Sequence, residues 1–278
     1  MTATTSTARA VDPAASGRSF ERRHDLVVAG EFAAQPLVAM PTLTDADLAH
    51  LPTPVRRYIA RSGAVGRPRV QNARVVFDAL MWRKRGQAPM RAVSIQYNFF
   101  DRPARLFLMK ARMFGLPTRA LHLYRGDAAT FQVRVASLVN VVDQSGDAIS
   151  SAETVTVLND MCFFAPASLI DPRLTWEPVD ERNARATFTN GRWRVSAMLV
   201  FNERDELADF WSDDRPDSSG GAYIPRRWST PIDDYRDVGG RRQAWHGAAV
   251  YASPDGPFTY GDFTVRSIDY DVAGPTPL

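Results

Sequence analysis

The run VTVLNDMCFFAPASLI, Val155 to Ile170, is the most apolar stretch of the chain, yet Asn159 and Asp160 stand side by side near its middle. A buried carboxylate must be paired, hydrogen-bonded or neutralised, so whatever surrounds this run has to bring partners to it. Ser150 or Ser151 can cap a helix here, Glu153 falls in its first turn, and Pro166 interrupts the run. Length and capping therefore favour a buried helix, broken at Pro166, over a strand. Val155, Leu158, Met161 and Cys162 then form an apolar stripe, and Asp160 lies off it.

The segments on either side have a different rhythm. RVQNARVVFDALMW, MRAVSIQYNFF, ARLFLMKARMF, RALHLYRG and ATFQVRVASLVNVVD are β-branched or aromatic runs separated by Gly, Pro or charged turns. After the apolar run, Trp193, Val195, Ala197, Leu199 and Phe201 alternate along one face, NERDE turns the chain, and LADFW brings it back. YIPRRWSTPIDDY, RRQAWHGAAVY and FTYGDFTVRSIDYDV complete the set. The expectation is a mainly β, α+β chain of roughly ten strands with one central helix near 152–170.

Residues 1–24 are rich in Thr, Ala and Ser and read as a flexible tail. Residues 25–66 read as a helical N-terminal region packed on a β-rich domain over 67–273. Within it Thr44 and Asp47 are spaced as a cap, Pro54 suits a helix start and Gly63 a stop. Val55, Tyr58 and Ile59 share one apolar face between them.

The 278 residues carry a formal charge of only +3, which argues against a nucleic-acid partner. Among 34 basic residues only Lys84 and Lys110 are lysines. Cys162 is the single cysteine, which excludes an intrachain disulfide and a thiolate metal cluster; its apolar setting reads as a small buried hydrophobe. His24, His50, His122 and His246 have no ligand spacing, and His122 and His246 read as structural or solvent-facing strand residues. No phosphate-binding, dinucleotide, nucleophile-elbow or zinc motif occurs, so no cofactor and no metal are expected. The N-terminus lacks the apolar core of a signal peptide, and no run is long enough for an integral membrane segment, so the chain reads as cytoplasmic.

The candidate site residues are polar or aromatic groups on these elements. Asp160 is the candidate acid or base, Asn159 its orienter, and Arg215, in SDDR at a strand end, an electrostatic stabiliser, a role open to Tyr58 as well. Gln96 and Tyr124 are lone polar members of strands; with Tyr58, Trp82, Trp211 and Trp228 they are candidates to line a ligand cavity.

LPTPVRRYIARSGAVG, VTVLNDMCFFAPASLI, Trp176 followed by EPVD, LVFNERDELADFWSDDR and RRWSTPIDDYR resemble an uncharacterised bacterial family of unknown function over roughly residues 45–272. The order of elements is also similar to the lipoprotein-carrier fold of LolA and LolB. That resemblance implies an open, strongly curved antiparallel half-barrel around a central helix, with Asn159 and Asp160 on the helix lodged against the cup.

Two answers to the Asp160 question follow. In one, the carboxylate is ionised and fixed by an arginine of the cup, Arg215 being the candidate. In the other it lines a cavity with a raised pKa and moves a proton. The expected function is binding of an apolar or amphipathic small molecule in the β cup. The alternative is a cofactor-independent enzyme, a cyclase, isomerase or hydrolase, acting on such a molecule.

Overall fold

The computed structural model describes residues 19–136, 139–218 and 222–276. Its centre is one antiparallel sheet. The first six strands are a meander: β1 Asn72–Met81, β2 Met90–Phe99, β3 Ala104–Met113, β4 Leu116–Arg125, β5 Ala128–Val135 and β6 Val139–Ser145. A second group runs β7 Leu174–Pro178, β8 Asn183–Asn190, β9 Trp193–Phe201 and β10 Leu207–Ser212. Short pieces follow, β11 Trp228–Ser229, β12 Ile232–Asp233, β13 Arg236–Val238 and β14 Arg241–Gln243, then β15 His246–Tyr251 and the long β16 Phe258–Tyr270.

β16 returns to pair with β1 and joins the halves in the order β6-β5-β4-β3-β2-β1-β16-β15-β11-β10-β9-β8-β7. The two edges, β6 and β7, do not meet, so the sheet is an open half-barrel. Helix α3, Asp147–Phe164, connects those edges and packs against both β5 and β9, which lie far apart in the strand order. Only a strongly curled sheet can bring both to one helix.

The helix is buried nearly all round, as expected of one enclosed by a sheet. Val155, Leu158, Met161 and Phe164 each contribute about 1.5–3 kcal/mol by leaving water. It starts earlier than the serine caps suggest, at Gly146 with φ 94°, and stops before Pro166, after which residues 166–170 form a 3-10 turn. The two-residue strands β11 and β12 and the β13–β14 ribbon are too short to show as an alternating pattern, so the structure has more strands than the roughly ten expected.

The N-terminal region holds two helices, α1 Phe20–Ala34 and α2 Thr53–Arg61, with a 3-10 turn at Asp45–Leu48 capped by Thr44 and Asp47. Helix α1 corrects the expected tail: residues 20–24 are helical, and residues 1–18 lie outside the described residues. It packs on the face of the sheet opposite α3, where Phe20, Val28 and Phe32 meet Ile95, Tyr97, Leu106 and Leu121. Glu21 and Glu31 pin it to Arg119 and Arg125 at 2.5 and 2.6 Å. Helix α2 buries Pro54, Val55, Tyr58 and Ile59 against the main core, and Tyr58 Oη donates to the Cys162 carbonyl at 2.7 Å. Among the described residues no helix is long and apolar enough to cross a membrane.

Gly63 ends α2 with φ +74°, and a Cβ there would lie 2.3 Å from the Gly240 carbonyl oxygen. Both the left-handed backbone and the backbone contact exclude a side chain. Gly63→Ala is expected to lower unfolding stability by about 1–3 kcal/mol. A urea midpoint equal to that of the parent protein would refute this packing.

Candidate functional site

Strand register decides which side chains face α3. Ala73, Val75 and Phe77 lie on the α3 side of β1, and Val76 lies on the α1 side. Pairing of Val75 with Gln96, Phe107 with Gln96, and His122 with Phe107 carries the α3 side across the meander. Gln96, Asn98, Arg105, His122 and Tyr124 therefore all project inward. On the helix, Glu153 and Asp160 are seven residues apart. They share one face, about 10 Å apart along the axis, with Thr156 between them.

These groups form one buried chain. Asp160 Oδ2 accepts from Gln96 Nε2 at 2.8 Å, Asn98 Nδ2 at 2.8 Å and Arg105 Nε at 2.9 Å. Arg105 Nη2 donates to Gln96 Oε1 at 2.9 Å, and its Nη1 lies 3.3 Å from His122 Nδ1. His122 Nε2 stands 3.1 Å from Glu153 Oε2, within ion-pair reach but off hydrogen-bond alignment. Glu153 Oε1 accepts from Arg215 Nη2 at 3.0 Å. Arg215 also donates to Thr156 at 2.9 Å and to Tyr251 Oη, and its guanidinium sits 4.4 Å from the Trp228 ring centroid.

Two carboxylates thus face two guanidiniums, and a neutral imidazole fits between them. Assigned with its proton on Nε2, His122 accepts from Arg105 and turns its N–H toward Glu153. Burial, reinforced by the Arg105 and Arg215 charges, pushes its pKa down to about 4 against the opposing pull of Glu153. Burial alone would raise Glu153, but His122, Arg215 and Arg105 together hold it below the usual carboxylate range. Burial pushes Asp160 up, and Arg105 and Asn98 hold that rise back.

The pairing corrects one expectation. Arg215 holds Glu153 rather than Asp160, because it reaches the helix two turns nearer its start; the cup arginine on Asp160 is Arg105. Asn159 points elsewhere and donates to Thr230 Oγ1 at 2.7 Å. Gln96 and Trp228 belong to the buried chain or its wall. Tyr124 bonds Thr154 at 2.9 Å and Asn190 at 2.8 Å, deeper along α3, while Tyr58 lies at the other end of the helix. Trp82 is half-buried at the end of β1, and Trp211 is half-buried under the Arg227 guanidinium, 3.7 Å away. Arg105, His122, Asn98 and Glu153 were not singled out from sequence as Asp160's surroundings. The Gln96–Asn98 alternation, two polar residues at i and i+2 in an apolar strand, was the available signal.

A separate groove of about 950 Å³ opens at the hairpin end of β1–β4. Its walls include Arg119, which bonds α1, and Asp262 and Thr264 of β16, which pair with Leu80 and Asp78. These residues place it on the α1 side of the sheet, away from the buried chain. On this side of the sheet Leu80, Val93 and Pro117 supply apolar surface, and Arg83, Arg91, Lys110 and Arg112 supply positive charge. Among the described residues these four cations have no carboxylate within ion-pair distance, whereas the groove's acids, Asp78 and Asp262, are paired with Arg266 and His246.

A family model matches residues 41–263, most of the chain. The chain belongs to DUF6544, a family of unknown function. The DUF6544 span includes the whole buried chain and nearly all of the groove, and leaves α1 outside it. No curated protein matches the sequence. Among solved structures, this DUF6544 protein is similar to a putative outer membrane lipoprotein-sorting protein domain from Vibrio parahaemolyticus. That match has a TM-score of 0.43 and 8% identity, over 78% of this chain and 90% of the other. It is also similar to a DUF1329 family protein from Desulfovibrio piger, at TM-score 0.42 and 11% identity over 84% and 95% of the two chains. A LolA superfamily protein from Nitrosomonas europaea is similar at TM-score 0.40 and 8% identity over 77% and 92%.

Proposed function

We propose that the protein binds an amphipathic small molecule, an apolar chain with an anionic head, in the groove on the α1 side of the sheet. The observation that supports this reading is the combination in one groove of apolar surface from Leu80, Val93 and Pro117 with four cations that have no carboxylate partner among the described residues. A volume of about 950 Å³ lies within the range of small-molecule sites. The uncompensated guanidinium and ammonium groups favour a carboxylate or phosphate at the charged end.

The expected site in the concave face of the cup is less favourable than the groove. There α3 fills the curl, and most of its polar groups are engaged with one another or with the sheet.

A fluorescent acyl probe with a free carboxylate tests the proposal, with its methyl ester as the neutral control. The acid is expected to bind saturably and at least about tenfold more tightly than the ester. Arg91→Glu with Lys110→Glu is expected to erase that preference, and Val93→Asp to weaken both ligands. Absence of saturable binding, or an unchanged preference in the charge-reversed variant, would sink the reading.

A further inference from the structure

We infer that the hairpin end of the sheet docks on an anionic lipid bilayer. It shares Arg83, Arg91, Lys110 and Arg112 with the ligand reading and adds the projecting Phe114 and Leu116 and the cations Lys84 and Arg85. The β1–β2 and β3–β4 connections emerge together, because Met81 pairs with Met90, Met113 pairs with Leu116, and Ala92 pairs with Ala111 between them. The tip of the second is Phe114, held out by a positive φ of 52° and 87% exposed, with Leu116 beside it at 49%. No other large apolar side chain among those described is as exposed as Phe114. Arg83 reaches to within 5.8 Å of the Phe114 ring centroid.

Positive charge surrounds this tip. Arg83, Lys84, Arg85, Arg91, Lys110 and Arg112 gather there, and none has a carboxylate within ion-pair distance among the described residues. Both lysines of the chain are in this set. Elsewhere many surface arginines, such as Arg57, Arg125, Arg182, Arg192 and Arg227, are matched to a carboxylate. Others without one among the described residues, such as Arg22, Arg56, Arg61, Arg102 and Arg194, do not surround an exposed aromatic tip. The six cations come from two adjacent hairpins, so they are concentrated around the Phe114 tip.

An apolar tip ringed by basic side chains suits the bilayer interface, where the ring enters the headgroup boundary and the cations meet anionic lipid. A folded protein partner would have to supply a pocket for one projecting phenylalanine. A fluid interface accepts it without one. Docking in this pose would turn the mouth of the groove toward the lipid.

Co-sedimentation of the full chain with vesicles of phosphatidylglycerol, and separately of phosphatidylcholine, tests the inference. The protein is expected to pellet with the first and stay in solution with the second, and to be released as salt is raised. The informative variant is Lys84→Glu, Arg85→Glu and Leu116→Asp combined, because none of these residues lines the groove. It should lose vesicle binding by at least about a hundredfold, counting about fivefold for each of the two charges removed and about tenfold for Leu116. It should bind the acyl probe in vesicle-free solution as the parent does, so failure of docking and failure of ligand binding are read separately. Failure to pellet with phosphatidylglycerol, equal pelleting with both lipids, or full binding by the triple variant overturns the inference. A single Leu116→Ser variant, expected to bind about tenfold more weakly, gives a second readout at an exposed site that leaves the fold unperturbed.

Discussion

Arg105→Met is expected to lower unfolding stability by about 3–5 kcal/mol, read as a shift in the urea midpoint. Removing the guanidinium leaves Asp160 in the core with only the Gln96 and Asn98 amides, and it strips Gln96 Oε1 and His122 Nδ1 of their donor. The penalty is that of an unpaired buried charge, which is larger than the net worth of the pair. Adding Asp160→Asn in the same chain should therefore recover most of the loss, because the amide oxygen can still accept from Gln96 and Asn98 and no charge is left behind. Asp160→Asn alone should be destabilising, since it strands Arg105 instead. A single Arg105→Met variant within about 1 kcal/mol of the parent, or a double variant no better than the single, would refute the buried pairing.

The helix that carries Asp160 was legible because its signals are local: an apolar run too long for one strand, capping residues before it and Pro166 after it. The partner was not, and the reason is physical. In ARLFLMKARMF both faces of the strand are apolar, Leu106 and Leu108 toward α1 and Phe107 and Met109 inward. Alternation therefore shows a strand without showing which face is the interior. Once α1 is placed on the Leu106 side, Arg105 must point at α3. Helix α1 itself was obscured at its start, because ERRHD looks like solvated tail. Arg23 and His24 are buried there, and Glu21 finds Arg119.

The groove was illegible for a related reason. Arg83, Arg91, Lys110 and Arg112 come from four places in two hairpins, and each by itself reads as a charged turn or strand-end residue. Only the pairing of Ala92 with Ala111 shows that they share one patch. The placement of the two lysines, Lys84 and Lys110, was the sequence trace of that patch, and it was weak because arginine dominates the basic residues everywhere else.

Acid is expected to destabilise the protein through His122. Its pKa falls from 6.5 to about 4 on folding, because the imidazole is buried beside Arg105 and Arg215. A base whose folded pKa is depressed contributes stability that is fully present above 6.5 and is lost as pH falls toward 4, since the unfolded chain takes the proton and the folded one does not. The size of that loss is about 3 kcal/mol. Glu153, lowered by its cationic neighbours against the opposing effect of burial, loses its contribution in the same direction, further toward the acid side. Asp160, raised by burial, acts with the opposite sign, because the folded carboxyl takes its proton first. His122→Gln separates these terms. Glutamine keeps an uncharged polar group between Arg105 and Glu153 and cannot become a third cation there. The parent should lose about 3 kcal/mol more than this variant between pH 6.5 and pH 4 in urea titrations. Parallel pH profiles for the two proteins would mean that His122 charges as readily in the fold as in water, and that the imidazole is not sealed between the two guanidiniums.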